Sequence, residues 1–370
     1  MKSNPLAMQE SVFQEDALLP LSPTHVIWQG KKMLDFSSQD FLGLSNHPDL
    51  KKHTIKYLLH YGNGICHPEI PGSFIECQKT LEVKIAELIN MPYLYFFSNR
   101  YLALWHLLSS LSSDVLLLLA DDLDPGLSKI LYSFPLKILT YNQNSLASLE
   151  AILKREGQSI CSVKMIFCES ISSGNGTLTD LNYITSLSQA YNALLVVDDS
   201  LAFGIKGDRG LGLAAKRGDI DLILCSLSNS VSADAAFLGC SSWIKNLIKK
   251  NVFYRESSIT YASLGAIEMA LDLIPSLEGE RYQLEQRCHW IKKQLQGYEI
   301  SSSTHVICLH FSQEEELCYF WESLLQRGIL TQCIICHQKR SYTLRIFINI
   351  HHTPDDLRML VEEIKELKSG

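Results

Sequence analysis

The feature that most limits how this chain can fold is a set of short, unbroken apolar runs separated by helix-length intervals. Val115–Ala120 reads VLLLLA, without one polar residue. Similar runs are Leu94–Ser98, Met165–Glu169, Ala193–Asp198, Leu222–Ser226 and Phe237–Ser241. A strand with one wetted face alternates apolar and polar residues, whereas a strand buried on both faces does not. The runs therefore predict the inner strands of a mainly parallel sheet. The intervals have room for crossover helices, so the expected class is α/β.

Beyond the last run the pattern changes. Helical spacing covers Leu264–Ile274, ended or kinked by Pro275, and then Glu278–Gln296. Val306–His310 and Leu344–Ile350 read as strands, and Glu314–Arg327 reads as a helix stopped at Gly328. A last helix opens with Thr353 as N-cap, Pro354 at the first position and Asp355 and Asp356 in the first turn. Leu357, Leu360, Val361, Ile364 and Leu367 form its apolar stripe. A chain of 370 residues fits about two domains. The expected division is an N-terminal arm over 1–45 with a strand at His25–Trp28, a large α/β domain over 46–272 and a small C-terminal α+β domain over 273–370.

A net charge of −7 argues against a general nucleic-acid binder. No stretch approaches the roughly 20 apolar residues of a membrane span. The segment MKSNPLAMQESVFQED has no apolar core of an export signal, so a cytoplasmic location with reduced thiols at the 11 cysteines is expected. Cys333-Ile-Ile-Cys336-His337 has the spacing of a haem attachment or half a zinc site. Ile334 and Ile335 instead favour a buried strand with incidental thiols, and no metal is expected.

In open α/β sheets ligands bind beyond the carboxyl ends of the strands. Ser98, Arg100 and Tyr101 follow one strand and open a helix, which suits a phosphate or an ordinary N-cap. Glu169-Ser170 ends a second strand. Asp198 ends a third, where a carboxylate faces a cationic nitrogen, a metal or a loop hydrogen bond. Ser226 and Ser228 end a fourth, their hydroxyls on one side of an extended segment, as a phosphate contact or a polar turn.

In order and spacing these segments resemble the α-oxoamine synthases. These are fold-type I pyridoxal-phosphate transferases such as 8-amino-7-oxononanoate synthase, glycine C-acetyltransferase and serine palmitoyltransferase. Phe36–Pro48 is similar to the family's entry segment around N-D-Y-L-G-L, Tyr61-Gly62-Asn63-Gly64 to Y-G-x-G and Phe97–Ala103 to F-S-S-G-Y-x-A. Glu169–Leu181 resembles E-S-x-F-S-M-D-G-D-x-A-P-L, Val197–Gly204 resembles V-D-E-A-H-S-F-G, and Leu344-Arg345-Ile346 the small-domain L-R-I. The resemblance implies an aspartate aminotransferase-like fold, active sites at a dimer interface and pyridoxal 5'-phosphate held by a lysine. It also implies an amino acid and an acyl-CoA as substrates, joined with loss of carbon dioxide into a 2-amino ketone. Carried over residue by residue, Asp198 falls on the carboxylate that meets the ring nitrogen. Ser98, Tyr101, Ser226 and Ser228 fall on the phosphate side, Glu169 and Ser170 beside the ring, and Arg345 on the holder of the substrate carboxylate.

The departures fall on the most demanding positions. The lysine aligns with Asn229, whose amide is not a nucleophile. The stacking histidine aligns with Pro125, the histidine after the ring aspartate with Leu201, and a basic segment with His67-Pro68-Glu69. Arg100 stands where the family has glycine. Lys206 is an alternative amine if its loop folds back. The resulting expectation is a non-catalytic or strongly impaired member that holds pyridoxal phosphate non-covalently at most, as a partner subunit or a cofactor- or acyl-CoA-binding protein. The regulatory subunit of serine palmitoyltransferase, also without the lysine, is a precedent within the family. A homodimer and a heterodimer with a lysine-bearing paralogue both fit. The alternative is an active decarboxylating acyltransferase.

Overall fold

The computed structural model describes residues 17–64, 75–158, 163–242, 244–246, 259–336 and 341–369. The chain opens with β1 (Leu18–Ser22), β2 (His25–Trp28) and β3 (Lys31–Asp35), then α1 (Pro48–Tyr61) and α2 (Glu76–Ile89). The central region runs β4 (Tyr93–Phe97), α3 (Arg100–Ser109), β5 (Val115–Ala120), α4 (Pro125–Leu131), β6 (Lys137–Tyr141), α5 (Leu146–Arg155), β7 (Val163–Glu169), α6 (Leu181–Ala190), β8 (Ala193–Asp198), β9 (Leu222–Ser226) and β10 (Ala236–Cys240). The remainder is α7 (Tyr261–Leu273), α8 (Glu278–Gln294), β11 (Glu299–Ile300), β12 (Val306–Phe311), α9 (Glu314–Gln326), β13 (Ile329–Leu330), β14 (Gln332–Cys336), β15 (Ser341–Phe347) and α10 (Pro354–Ser369).

The central sheet has the order β4-β10-β9-β8-β7-β5-β6. Its pairs are parallel except those made by β10, which runs antiparallel to both neighbours. The unbroken apolar runs are its strands. Every residue of β5, β9 and β10 is buried, because helices cover both faces of the sheet. This is the α/β fold-type I architecture. Since β10 reverses direction between β9 and β4, the carboxyl ends of β4, β7, β8 and β9 all lie on one edge. That edge carries Ser98, Glu169, Asp198 and Ser226.

The edge strand β6 is absent from the sequence-based expectation. Its pattern KILTY is half exposed, without the continuous apolar signal of the inner strands. A second sheet has the order β11-β12-β15-β14 and packs against α9, which in turn contacts α10. Cys333 and Cys336 sit on β14 as free thiols, while His337 lies outside the described residues. The arm strands form a third sheet, β1-β2-β3-β13, so the chain's beginning is completed by a strand from its last third. The backbone N–H groups of Phe36 and Phe347 extend this tie, donating to Leu330 and Phe36 carbonyls, both at 2.8 Å. None of the described helices is long and apolar enough to cross a membrane.

Candidate functional site

The site is built where the strands end. Asp198 terminates β8 with its side chain almost wholly buried. One carboxylate oxygen accepts the Ser200 N–H at 2.9 Å. The other faces Arg100, whose Nη1 lies 3.2 Å away. Arg100 is the first residue of α3, and its other terminal nitrogen reaches Asp124 Oδ2 at 3.0 Å. The guanidinium thus bridges a buried carboxylate and a partly buried one, with only 17% of its own side chain exposed. Burial opposes its charge, but Asp198, Asp124 and Glu169 outweigh that, and the group is held above its ordinary pKa.

Glu169 ends β7 directly beside Asp198 in the strand register. It accepts the Ser173 N–H at 2.9 Å and the Ser173 hydroxyl at 2.8 Å. Burial and the neighbouring Asp198 raise its pKa to about 8, against the pull of Arg100. Ser170 turns elsewhere: its hydroxyl is fully buried and donates to Asp199 Oδ1 at 2.5 Å. Asp199 also accepts the Leu213 and Ala214 N–H groups, so this pair anchors the glycine turn after β8. A Cβ at Gly212 would meet Asp199 Oδ2 at 2.0 Å, and φ is +93°, so the turn needs glycine there.

Of the phosphate-side residues, Tyr101, Ser226 and Ser228 are met from within the chain. Ser98 is exposed after β4. At the start of α3 the helix is capped by Asn99, whose Oδ1 accepts the Leu102 N–H at 2.9 Å. The ordinary N-cap alternative therefore describes this turn. Tyr101 donates to Asp124 Oδ1 at 3.3 Å, and the same oxygen caps α4 through Gly126 and Leu127. Ser226 Oγ and Ser228 Oγ are 2.7 Å apart, and the Ser228 hydroxyl donates to Asn229 Oδ1 at 3.4 Å. Ser228 also lines a cavity of about 440 Å³ whose ionisable walls are Asp35, Asp40 and Asp234. A phosphate would meet carboxylates there.

Asn229 is 8% exposed, and its Nδ2 donates to the Ser200 carbonyl at 3.3 Å. A Cβ at Gly204 would lie 2.4 Å from Ser230 Cβ, which shows how closely the turn after β8 approaches the Asn229 loop. Lys206 does not fold back into this space. Its Nζ pairs with Glu285 of α8 at 3.0 Å and lines a separate cavity with Arg281 and Lys292. Arg345 lies on β15, 6% exposed, with its guanidinium carbon 5.8 Å from the Phe347 ring centroid. Its Nε has no hydrogen-bond partner among the described residues. His67-Pro68-Glu69 falls outside the described residues. Among the described residues no group of three or more His, Cys, Asp or Glu side chains is placed to hold a metal.

The implied cofactor is pyridoxal phosphate, and the residues present do not fit it. The carboxylate that the resemblance assigns to its ring nitrogen is paired with Arg100, and Asn99 takes the Leu102 N–H of the helix terminus assigned to its phosphate. At the positions where the resemblance expects an amine, a stacking ring and a donor, the chain has the amide Asn229, the non-aromatic Pro125 and the apolar Leu201. Sequence reasoning identified Asp198 but not its partner. The signal was present in the arginine at the glycine position, yet the two residues are 98 apart in the chain.

The profile of the family "Aminotransferase class I and II" matches residues 127–364. An 8-amino-7-oxononanoate synthase of Lysinibacillus sphaericus is 26% identical over 93% of this chain and 91% of its own length. One from Geobacter sulfurreducens is 25% identical over 90% and 88%. Among solved structures, the Sphingomonas wittichii serine palmitoyltransferase superposes with a TM-score of 0.87 at 17% identity, covering 96% of this chain and 92% of that one. The 8-amino-7-oxononanoate synthase of Francisella tularensis gives 0.79 at 20% identity, with 91% and 98% covered.

Proposed function

The chain belongs to the aminotransferase class I and II family, in its α-oxoamine synthase group, and from that membership we propose that it is a non-catalytic subunit that associates with a lysine-bearing paralogue. Asn229 carries this reading. Its amide is buried and hydrogen-bonded to Ser200, and it cannot form the covalent bond to an aldehyde that a lysine amine forms. Lys206, the alternative amine, is held by Glu285 on a separate cavity.

A partner role explains why an intact fold persists around a site without its nucleophile. Two features support it. On α1, Ile55, Leu59 and Tyr61 are 55%, 84% and 43% exposed, an apolar face suited to a second subunit. Arg345 keeps a buried guanidinium whose Nε has no hydrogen-bond partner among the described residues, a group able to hold an anion.

Incubation with pyridoxal phosphate, borohydride reduction and intact mass measurement tests the chemistry. The expected mass is that of the bare chain, and a stoichiometric adduct overturns the reading. Co-expression with the lysine-bearing paralogue tests the association. The two chains are expected to copurify in equal amounts, and Leu59→Asp is expected to weaken the complex at least tenfold.

A further inference from the structure

Arg100 supplies from within the chain the positive charge that Asp198 would otherwise take from a bound cofactor. We propose that Arg100 acts as a built-in substitute for the cofactor's ring cation, closing a latent pyridoxal-phosphate site and making the fold independent of that ligand. The proposal rests on the subunit reading above and deepens it, since it removes cofactor sensing from the roles open to this site.

The argument begins with Asp198. Its side chain is 1% exposed, at the end of an all-apolar strand, next to a second buried carboxyl at Glu169. A carboxylate in that position needs a cation, because unpaired burial of charge is strongly unfavourable. Among the described residues the cation within reach is Arg100, at 3.2 Å. Its other end is fixed by Asp124, the N-cap of α4, at 3.0 Å. One side chain therefore joins the start of α3, the end of β8 and the start of α4, three elements that converge on the site. The Tyr101 ring lies 5.2 Å from the guanidinium carbon, in cation–π range.

The fork geometry matters. A guanidinium can serve two carboxylates in one plane, whereas a lysine ammonium would serve them as a point charge. Where the family has glycine there is no side chain and the space stays open for a ligand. Here the arginine fills it. The neighbouring polar groups agree in part: Asn99 takes the Leu102 N–H in the first turn of α3, Ser226 and Ser228 bond each other, and Ser228 bonds Asn229. Internal bonds thus occupy Ser226, Ser228 and part of the helix terminus as well as the charge.

The test is a stability cycle with and without pyridoxal phosphate, on the full chain and its complex. Arg100→Ala opens the space without the helix penalty of glycine. R100A is expected to melt several degrees below wild type, because Asp198 loses its partner. R100A/D198N is expected to recover most of that loss, since the orphan charge is gone. Pyridoxal phosphate is expected to leave the wild-type melting temperature unchanged and to raise that of R100A by ligand linkage. N229K alone is expected to give no reducible adduct, whereas R100A/N229K is expected to retain the cofactor mass after borohydride.

The proposal is overturned if pyridoxal phosphate stabilises wild type as much as R100A, if R100A melts with wild type, or if R100A/D198N melts no higher than R100A. Should R100A not fold, R100A/D198N lacks both charges and completes the comparison, and the wild-type response needs no variant. The two readings fail separately. Reversible stabilisation of wild type without an adduct ends the substitute role and leaves the subunit reading intact, whereas a wild-type adduct ends the subunit reading.

Discussion

Glu169 and Asp198 stand side by side on adjacent parallel strands, and one arginine serves that corner. The consequence at the residue scale is a carboxyl at Glu169 with a folded pKa near 8 instead of its ordinary 4.5. A raised carboxyl pKa stabilises the fold below the unfolded value, and that contribution is lost as pH rises through the folded value. Stability should therefore fall between about pH 4.5 and pH 8. Glu169→Gln keeps an acceptor for Ser173 but cannot ionise. In denaturant titrations it should reduce the fall between pH 5 and pH 8 by about 1–3 kcal/mol. An unchanged slope would show that Glu169 is ionised in the folded chain. Both carboxyl residues were legible in the sequence, because polar residues at the ends of apolar strands stand out. Ser170 was legible as a strand-end residue, but not its direction, which a single rotation of the chain decides.

At the scale of elements, caps and strand runs carry most of the readable information. The last helix is the clearest case. The Asp356 N–H donates to Thr353 Oγ1 at 3.1 Å, and the Thr353 N–H donates back to Asp356 Oδ2 at 2.7 Å. This reciprocal box satisfies donors that the first turn would otherwise leave open. Thr353→Ala should cost about 1 kcal/mol of unfolding free energy, measured by chemical denaturation, with little effect on association. A loss below a few tenths would mean that packing of the stripe Leu357 to Leu367 alone fixes the helix start. The weakly legible elements are those whose signal is half exposed or very short. They are β6 at the sheet edge and β1, β3, β11 and β13 outside the central sheet. Their patterning is set by neighbours distant in sequence, so it does not show as local periodicity.

At the scale of the whole molecule, titration couples parts that lie far apart. Burial lowers His305 to about 3 and His352 to about 4 from an ordinary 6.5. Burial also raises Asp199 to about 7 from 3.8. The lowered histidines contribute stability above pH 6.5 that is lost as pH falls toward their folded values. The raised carboxyls at Glu169 and Asp199 contribute stability below their unfolded values that is lost as pH rises to about 8. The two slopes oppose each other between about pH 4.5 and 6.5, and only the carboxyl slope remains above that. Thermal melts should show little change from pH 5.5 to 6.5 and a clear decline from 6.5 to 8. A melting temperature that rises steadily to pH 8 would contradict this assignment. The arm is a further long-range matter. Its strands enter one sheet with β13, and Phe36 bonds to Phe347, so removing β1 to β3 should destabilise the C-terminal sheet as well.

The sequence by itself determined the α/β class, the identity of the inner strands and the ordered motifs of the α-oxoamine synthases. These are local properties, since periodicity, capping and residue chemistry act within a few positions of the chain. Only the tertiary structure decided where the charges went. It brought Arg100 across 98 positions onto Asp198, turned Ser170 toward Asp199 and placed Lys206 against Glu285. A buried carboxylate requires a cation but does not specify which one, and that choice depends on which strand ends the sheet order brings together.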